Sequence, residues 1–263
     1  MTYTLYQVDA FTDKLFGGNP AAVIPLREWI DEELMQQIAM ENNLSDTAFF
    51  LPSDRSDADY DIRWFTPVLE INLCGHATLA TAFILFNQLG YNKDIIRFSS
   101  KAGILKVSQF DGIIQMDFPA WKPEQVSYEY PELTAALGDL SYDAVYKNRD
   151  LLVELSNEKL VRNCEPNLAL LKRMGVKLII TSKGDDVDFV SRFFAPTAGI
   201  DEDPVTGSAH AQLVPYWAEK TGKKIFHALQ LSQRGGELWC EYLGDRVTLG
   251  GKCVYYMKGE IKI

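Results

Sequence analysis

Two short segments of the chain combine glycine with acid, imidazole, thiol and hydroxyl side chains where helical patterns begin. They are Cys74, Gly75 and His76 in the first half, and Asp203, Gly207 and Ser208 in the second. A carboxylate, an imidazole and a hydroxyl together can move protons next to a carboxylate or carbonyl group. Backbone N–H groups at a helix start bind anions, and glycine lets a ligand approach that backbone closely. These segments predict proton transfer on a small carboxylated molecule. The residues expected to bind it are Gly75, His76, Gly207 and Ser208.

Asp46 is another candidate proton carrier, because it stands in the triplet Ser45–Asp46–Thr47 at the start of a predicted strand. Each candidate also has a structural alternative. Asp46 would then close the turn after a helix, and His76 would bond its own backbone. Asp203 would be an ordinary loop acid, Ser208 an ordinary first-turn serine and Cys74 a small buried hydrophobic residue. His210 and His227 are interpreted as structural.

Hydrophobic periodicity predicts the elements that position these residues. Residues 31–42 predict an amphipathic helix, and residues 76–89 predict a helix that is apolar on all sides and therefore buried. Gly90 is a natural end for the second helix. A third helix is predicted from Gly207 to Lys220, and Pro215 should kink or break it. Strands are predicted at 3–10, 21–25, 47–51, 60–66, 176–181 and 189–195, with further strand signals at 95–118 and from 229 to the end.

Three motifs of the first half recur in the same order in the second half, about 130 residues later. Residues 63–67 resemble 192–196, residues 75–77 resemble 207–209, and residues 98–105 resemble 231–238. We therefore predict an α+β fold of two similar pseudo-symmetric domains, residues 1–120 and 121–263. Each is expected to be a curved, mostly antiparallel sheet or barrel around a central apolar helix.

Residues 121–130 have mixed polarity and are the predicted linker, and the last strand (about 253–263) is expected to return to the first domain. Duplicated halves commonly pack about a pseudo-twofold axis. Such an axis would bring both helix starts to one cleft between the domains.

Composition argues against several classes of function. A net charge of −10 over 263 residues does not suit a nucleic-acid-binding surface, which needs clustered Lys and Arg. No apolar run is long enough to span a bilayer, and the first residues lack a signal-peptide pattern, so a cytoplasmic location is expected. The four scattered cysteines are expected to be free thiols. Because none of the three histidines is spaced with cysteine as in a zinc site, no metal is expected.

Four motifs, in this order over essentially the whole chain, resemble the PhzF family of phenazine-biosynthesis-like isomerases. They are residues 9–11 with 18–20, residues 43–49, residues 74–78 and residues 202–209. The resemblance implies a diaminopimelate-epimerase-like fold and an isomerase that needs no cofactor. Homodimers are common among the relatives, but the sequence does not determine the oligomeric state. The catalytic roles would fall on Asp46, His76, Asp203 and Ser208. The family usually has glutamate where Asp46 stands, so the carboxylate is retained on an arm shorter by one methylene.

Two other functions remain open from the sequence. Related epimerases and racemases use two opposed cysteines, one at each helix start, and this chain has Cys74 but no cysteine near Gly207. A one-thiol epimerase would use Cys74 against Asp203. Alternatively, the chain is a non-catalytic protein that binds a small molecule with the same fold. The sequence does not identify the substrate beyond a small carboxylated molecule.

Overall fold

Strands predominate over helices in the computed structural model, which describes residues 1–126, 130–142 and 144–263. In chain order the strands are β1 (Thr2–Ala10), β2 (Asn19–Pro25), β3 (Asp46–Pro52), β4 (Tyr60–Phe65), β5 (Glu70–Ile71), β6 (Ile95–Ser100), β7 (Gly103–Phe110), β8 (Ile113–Pro119), β9 (Glu124–Val126), β10 (Val145–Lys147), β11 (Leu151–Glu154), β12 (Leu178–Lys183), β13 (Phe189–Ala195), β14 (Ile200–Asp203), β15 (Ile225–Gln230), β16 (Gly236–Tyr242), β17 (Arg246–Gly251) and β18 (Cys253–Lys262). The helices are α1 (Glu32–Asn42), α2 (Gly75–Asn87), α3 (Leu133–Ala136), α4 (Glu158–Asn163), α5 (Leu168–Arg173) and α6 (Gly207–Thr221).

The chain forms two compact units. Unit 1 consists of Met1–Asp117 together with Gly250–Ile263, and unit 2 consists of Phe118–Leu249. The C-terminal strand belongs to unit 1 because β18 pairs antiparallel with β1 along the whole of β1.

Unit 1 is a mostly antiparallel sheet packed on one apolar helix. The pairs β1–β2, β3–β4, β6–β7 and β7–β8 are antiparallel, whereas β2–β3 and β4–β6 are parallel. The helix α2 packs against β1, β2, β3 and β18. Residues 76–82 are all buried, which explains why this helix has no polar face.

Unit 2 packs a second helix, α6, against strands of its own sheet. The Trp217 ring of α6 stacks on Phe189 of β13 with 5.8 Å between ring centroids. Its indole N–H donates a hydrogen bond of 3.1 Å to the Thr181 hydroxyl of β12. The Gln212 side chain of α6 both accepts from the backbone N–H of Asp150 and donates to its carbonyl. Because of these hydrogen bonds, the polar groups of Gln212 and Trp217 have partners although α6 is buried along most of its length.

The two units repeat one order of strand pairing. Along β2–β3–β4–β6–β7 the pairs are parallel, antiparallel, parallel and antiparallel, and β11–β12–β13–β15–β16 repeats that series. The short strands β5 and β14 add antiparallel to β4 and β13 at equivalent places. The α+β class, with two similar units that are mostly antiparallel and each packed on a helix, is confirmed. The pseudo-twofold axis stays a prediction.

Pro215 lies inside α6, and the expectation that it would break this helix is wrong. The helix runs without interruption from Gly207 to Thr221. Proline lacks the N–H that would bond the carbonyl of Ala211, four residues earlier. In its place the backbone N–H of Trp121, from the segment before β9, donates to the Ala211 oxygen at 2.9 Å.

Two other boundaries differ from the sequence prediction. α2 ends at Asn87 rather than at residue 89, because the N–H groups of Leu89 and Tyr91 bond to Ile84 and Leu85 in a closing turn. Residues 124–126 of the predicted linker instead form β9, which pairs with β10. Residues 127–129 of that linker lie outside the described residues.

None of the helices in the described part of the chain has the length and apolar character that a membrane crossing requires.

Candidate active site

Asp46 is the first residue of β3, directly after the turn that follows α1. The turn is made by Asn43, whose left-handed backbone (φ 49°) ends the helix. The Asn42 amide then donates to the Thr47 hydroxyl at 3.1 Å, which ties the helix end to the strand start. The Asp46 side chain points into the unit, and the residue is only 5% exposed.

Cys74 is the residue that precedes α2, and its backbone is extended (φ −134°, ψ 120°). Its side chain makes no capping hydrogen bond to the helix. The Thr78 hydroxyl donates to the Cys74 carbonyl at 2.5 Å and so closes the first turn. The helix then begins with Gly75 and His76, of which His76 is buried.

The packing of α2 against β3 brings three side chains together, which we call the Asp46–Cys74–His76 cluster. The Cys74 thiol donates to Asp46 Oδ2 at 3.3 Å. The His76 ring lies beside both groups, with Nε2 3.4 Å from the same Oδ2 and Nδ1 3.5 Å from Cys74 Sγ. All three residues are buried. A carboxylate, a thiol and an imidazole therefore share one buried position at the helix start.

Burial keeps the His76 ring neutral. Loss of hydration lowers the pKa of His76 to about 3. Its contact with Asp46 is therefore not an ion pair. A neutral imidazole has one nitrogen that donates and one that accepts, which suits the relay of a proton.

In unit 2, Asp203 is the last residue of β14, the short strand that leads into α6. Thr206, the residue preceding α6, has an extended backbone (φ −120°, ψ 100°) and makes no side-chain cap, just as Cys74 does in unit 1. The Thr206 hydroxyl donates instead to Asp203 Oδ2 at 2.5 Å. In both units the residue before the helix thus turns its side chain to a carboxylate. Gly207 and Ser208 follow as the first residues of α6.

Gln230 holds the segment before α6 in place. Its amide oxygen accepts from the Thr206 N–H at 2.9 Å, and its amide nitrogen donates to the Asp203 carbonyl at 2.8 Å. The residue is 1% exposed. This role of Gln230 was not predicted from the sequence. A signal was present, because Gln230 follows Phe226 and Ala228 at the inward positions of β15, where a polar residue is unusual.

The structure brings the sequence candidates together in two groups. Asp46 and His76 meet in unit 1 with Cys74, and Asp203, Gly207 and Ser208 gather around the start of α6 in unit 2. His210 and His227 lie outside both groups. The ring of His210 bonds the Thr206 carbonyl at 2.9 Å, and that of His227 bonds Glu237 at 2.7 Å.

An arginine–glutamate pair precedes the helix in each unit. Arg63 of β4 donates two hydrogen bonds of 2.8 Å to Glu70 of β5. Arg192 of β13 donates bonds of 2.6 and 2.9 Å to Glu202 of β14. Hydrogen bonding to Arg63 holds the pKa of Glu70 below its usual range. These pairs fix the short strand from which the chain turns into each helix.

Known proteins share this architecture. A hydroxyproline epimerase from Agrobacterium vitis superposes with a TM-score of 0.65 over 99% of this chain and 92% of that chain, and at 11% identity this likeness shows the fold alone. A PhzF family phenazine biosynthesis protein from Enterococcus faecalis superposes with a TM-score of 0.95, at 45% identity and over 100% of both chains. An uncharacterized isomerase of Pseudomonas aeruginosa is 46% identical over 264 residues, which cover 100% of both chains. The family described as phenazine biosynthesis-like protein (PhzC-PhzF) matches residues 8–259, and the chain belongs to this family.

Proposed function

We propose that this chain is an isomerase that shifts a proton on a small carboxylated substrate without using a cofactor. Asp46 acts as general acid and base, and His76 and Asp203 relay or position protons. Ser208 and the N–H groups that begin α2 and α6 hold the substrate. The step breaks one C–H bond and forms another, so it consumes neither an oxidant nor a reductant.

The Asp46–Cys74–His76 cluster is the observation that carries this proposal. A buried carboxyl group within 3.4 Å of an imidazole can give it a proton when protonated, or accept one from it when ionised, without moving far. The start of α2 adds a partial positive charge beside the cluster. That charge favours a carboxylate substrate even though the whole protein carries a net charge of −10.

Relatives named as isomerases support the reaction class. For one substrate to use both groups of residues, Gly75 and Gly207 must face the same bound molecule. This requirement, like the expected shared cleft, stays a prediction.

Solvent deuterium exchange tests the proposal. The protein is incubated in D2O with L-proline, trans-4-hydroxy-L-proline or a dihydro-hydroxyanthranilate, and proton NMR follows the loss of each C–H signal. We expect exchange in at least one compound, and Asp46→Asn should slow it by about 10²–10⁴-fold, the usual contribution of a general acid or base. The exposed Asp94→Asn is the matched control and should leave the rate unchanged. Equal rates in wild type and Asp46→Asn would refute the role of Asp46.

A one-thiol epimerase is the second candidate, because Cys74 lies in the cluster in direct contact with Asp46. The equivalent position in unit 2 holds Thr206, so a pair of thiols is absent from these two helix starts. Cys74→Ala separates the two functions. It abolishes exchange by a thiol-dependent epimerase, whereas exchange that depends on Asp46 persists at a reduced rate, because only the hydrogen bond that orients the carboxyl group is lost.

A non-catalytic binding protein would behave differently again. Ligands that raise the melting temperature but never gain deuterium would favour that function over both enzymes.

A further inference from the structure

The Asp46–Cys74–His76 cluster also has the composition of a metal site. Within the described residues it is the one group of three Asp, Glu, Cys or His side chains whose ligand atoms all lie within 4.8 Å of one another. All three residues are buried, so the cluster differs from the exposed acidic groups common on protein surfaces.

Two distances in the cluster suit zinc, those from Asp46 Oδ2 to Cys74 Sγ and to His76 Nε2. Zn²⁺ binds sulfur at about 2.3 Å and nitrogen or oxygen at about 2.0–2.2 Å, and a tetrahedron with such arms has edges of about 3.3–3.6 Å. The separations are 3.3 Å from Sγ to Oδ2, 3.4 Å from Nε2 to Oδ2 and 3.5 Å from Nδ1 to Sγ. Because the last two distances end on different ring nitrogens, coordination requires a turn of the imidazole that directs one nitrogen to the metal.

The ligand types select the class of metal. A thiolate and an imidazole favour Zn²⁺ over Mg²⁺ and Ca²⁺, which prefer sites made only of oxygen. Three protein ligands leave a fourth position for water, as in zinc sites that are not purely structural. Asp46 lies far from Cys74 in the sequence, so no spacing motif announces the site.

We propose that Asp46, Cys74 and His76 bind one Zn²⁺ ion reversibly and that the bound ion inhibits the isomerase. Binding forms a Zn–S bond and releases the thiol proton to the buffer, with no change in oxidation state. The ion occupies a lone pair of the Asp46 carboxylate and a nitrogen of His76. Neither group can then exchange a proton with substrate. The proposed inhibition therefore rests on the proposed function, whereas the proposed zinc binding does not.

Cobalt substitution tests the binding directly. Co²⁺ is added to the metal-free full chain, and absorbance reports the thiolate-to-cobalt charge-transfer band and the visible bands of tetrahedral Co²⁺. We expect saturation at one ion per chain and full displacement by Zn²⁺. Cys74→Ser should remove the charge-transfer band. Asp46→Asn and His76→Gln should each weaken binding by at least about tenfold, since even groups behind a metal ligand contribute that much.

The matched control is His227→Gln, which disrupts a partly exposed imidazole–carboxylate pair with Glu237 elsewhere in the chain. It should bind Co²⁺ as the wild type does. X-ray absorption of the zinc-loaded wild type should show one sulfur among nitrogen and oxygen neighbours, and this measurement needs no variant to fold. A wild type without the charge-transfer band, or a zinc shell without sulfur, overturns the proposal.

Deuterium exchange in the presence of Zn²⁺ separates the two proposals. Loss of exchange that EDTA restores supports inhibition at the cluster. Zinc binding at the cluster with undiminished exchange would overturn inhibition and, with it, the catalytic use of Asp46. Absence of zinc binding, with exchange that still depends on Asp46, would overturn the metal site alone.

Discussion

At the scale of single residues, each predicted acid has a partner that directs it. Cys74 donates to Asp46, and Thr206 donates to Asp203 at the equivalent point of the second unit. Each hydrogen bond occupies one lone pair of a carboxylate oxygen and thereby restricts the orientation of the group. The Asp46 carboxyl group is therefore held in a defined place within its own unit.

Two buried histidines should make stability depend on pH. Burial lowers the pKa of His76 to about 3 and that of His210 to about 4, whereas a histidine in the unfolded chain titrates near 6.5. The unfolded state thus binds more protons below pH 6.5. The stability contributed by the neutral rings is complete above that pH and is lost as pH falls to about 4 for His210 and to about 3 for His76.

Between pH 7 and pH 5 we expect each of these histidines to lower the free energy of unfolding by about 2 kcal/mol. Urea unfolding at the two pH values measures the loss. His210→Asn should reduce this pH-dependent loss by about half, because the titrating ring is gone. The asparagine amide can keep the hydrogen bond to the Thr206 carbonyl. His227→Asn is the control and leaves both buried rings in place. An unchanged pH dependence in His210→Asn would contradict the assignment.

At the scale of elements, the arginine–glutamate pairs join the short strands to the rest of each sheet. Arg192 also makes hydrogen bonds outside its pair with glutamate. Besides Glu202, its guanidinium donates to the Cys164 carbonyl at 2.6 Å, where α4 ends. One side chain therefore links β13, β14 and the end of α4.

Arg192→Lys should lower the free energy of unfolding by about 1.5–3 kcal/mol, because lysine cannot form the two parallel bonds to Glu202. Arg55→Lys is the matched control. Arg55 also forms two bonds of 2.8 Å to an acid, Asp57, but both side chains are more than half exposed. Arg55→Lys should therefore lower the free energy of unfolding very little. Chemical denaturation of both variants gives the comparison, and equal losses would argue against a linking role for Arg192.

Gln230 fixes the start of α6 against β15. Gln230→Leu leaves the buried Thr206 N–H and the Asp203 carbonyl without their partner, and should destabilise unit 2 by at least about 1–3 kcal/mol. The exposed Gln115→Leu in β8 is the control. Hydrogen exchange of the first turn of α6, followed by mass spectrometry, should accelerate in Gln230→Leu and stay unchanged in Gln115→Leu. Unaltered protection in both variants would rule out this role.

At the scale of the whole molecule, each unit should respond separately to damage. Deleting residues 253–263 removes β18, which pairs with β1 over its whole length and packs against α2. We expect peptides of unit 1 to lose hydrogen-exchange protection while those of β12 and α6 keep it, because unit 2 has a core of its own around Leu133, Val153 and Ile180. Loss of protection throughout the chain would show that the two units unfold together.

Local patterns and the internal repeat were enough to predict the fold class and the helices that hold the site. The apolar run of α2 and the matching motifs around Arg63 and Arg192 carry that information in short segments. The contact between Asp46 and Cys74 could not be predicted from the sequence, because it depends on how α2 packs against β3. The helices α4 and α5 were not predicted, because each is only six residues long and tertiary packing outweighs helix propensity at that length. Their local sequence signals are the capping residues Asn157 and Asn167.

The two uncapped helix starts have a consequence for protein engineering. Cys74 and Thr206 direct their side chains to neighbouring acids and forgo a cap that would stabilise each helix by about 0.5–2 kcal/mol. A search for thermostable variants would therefore favour Asp, Asn or Ser at position 74, where a new oxygen could bond the first-turn amides. The new hydrogen bond would also occupy the N–H groups that an incoming anion needs. Substitutions at position 74 that raise the melting temperature should therefore lower turnover.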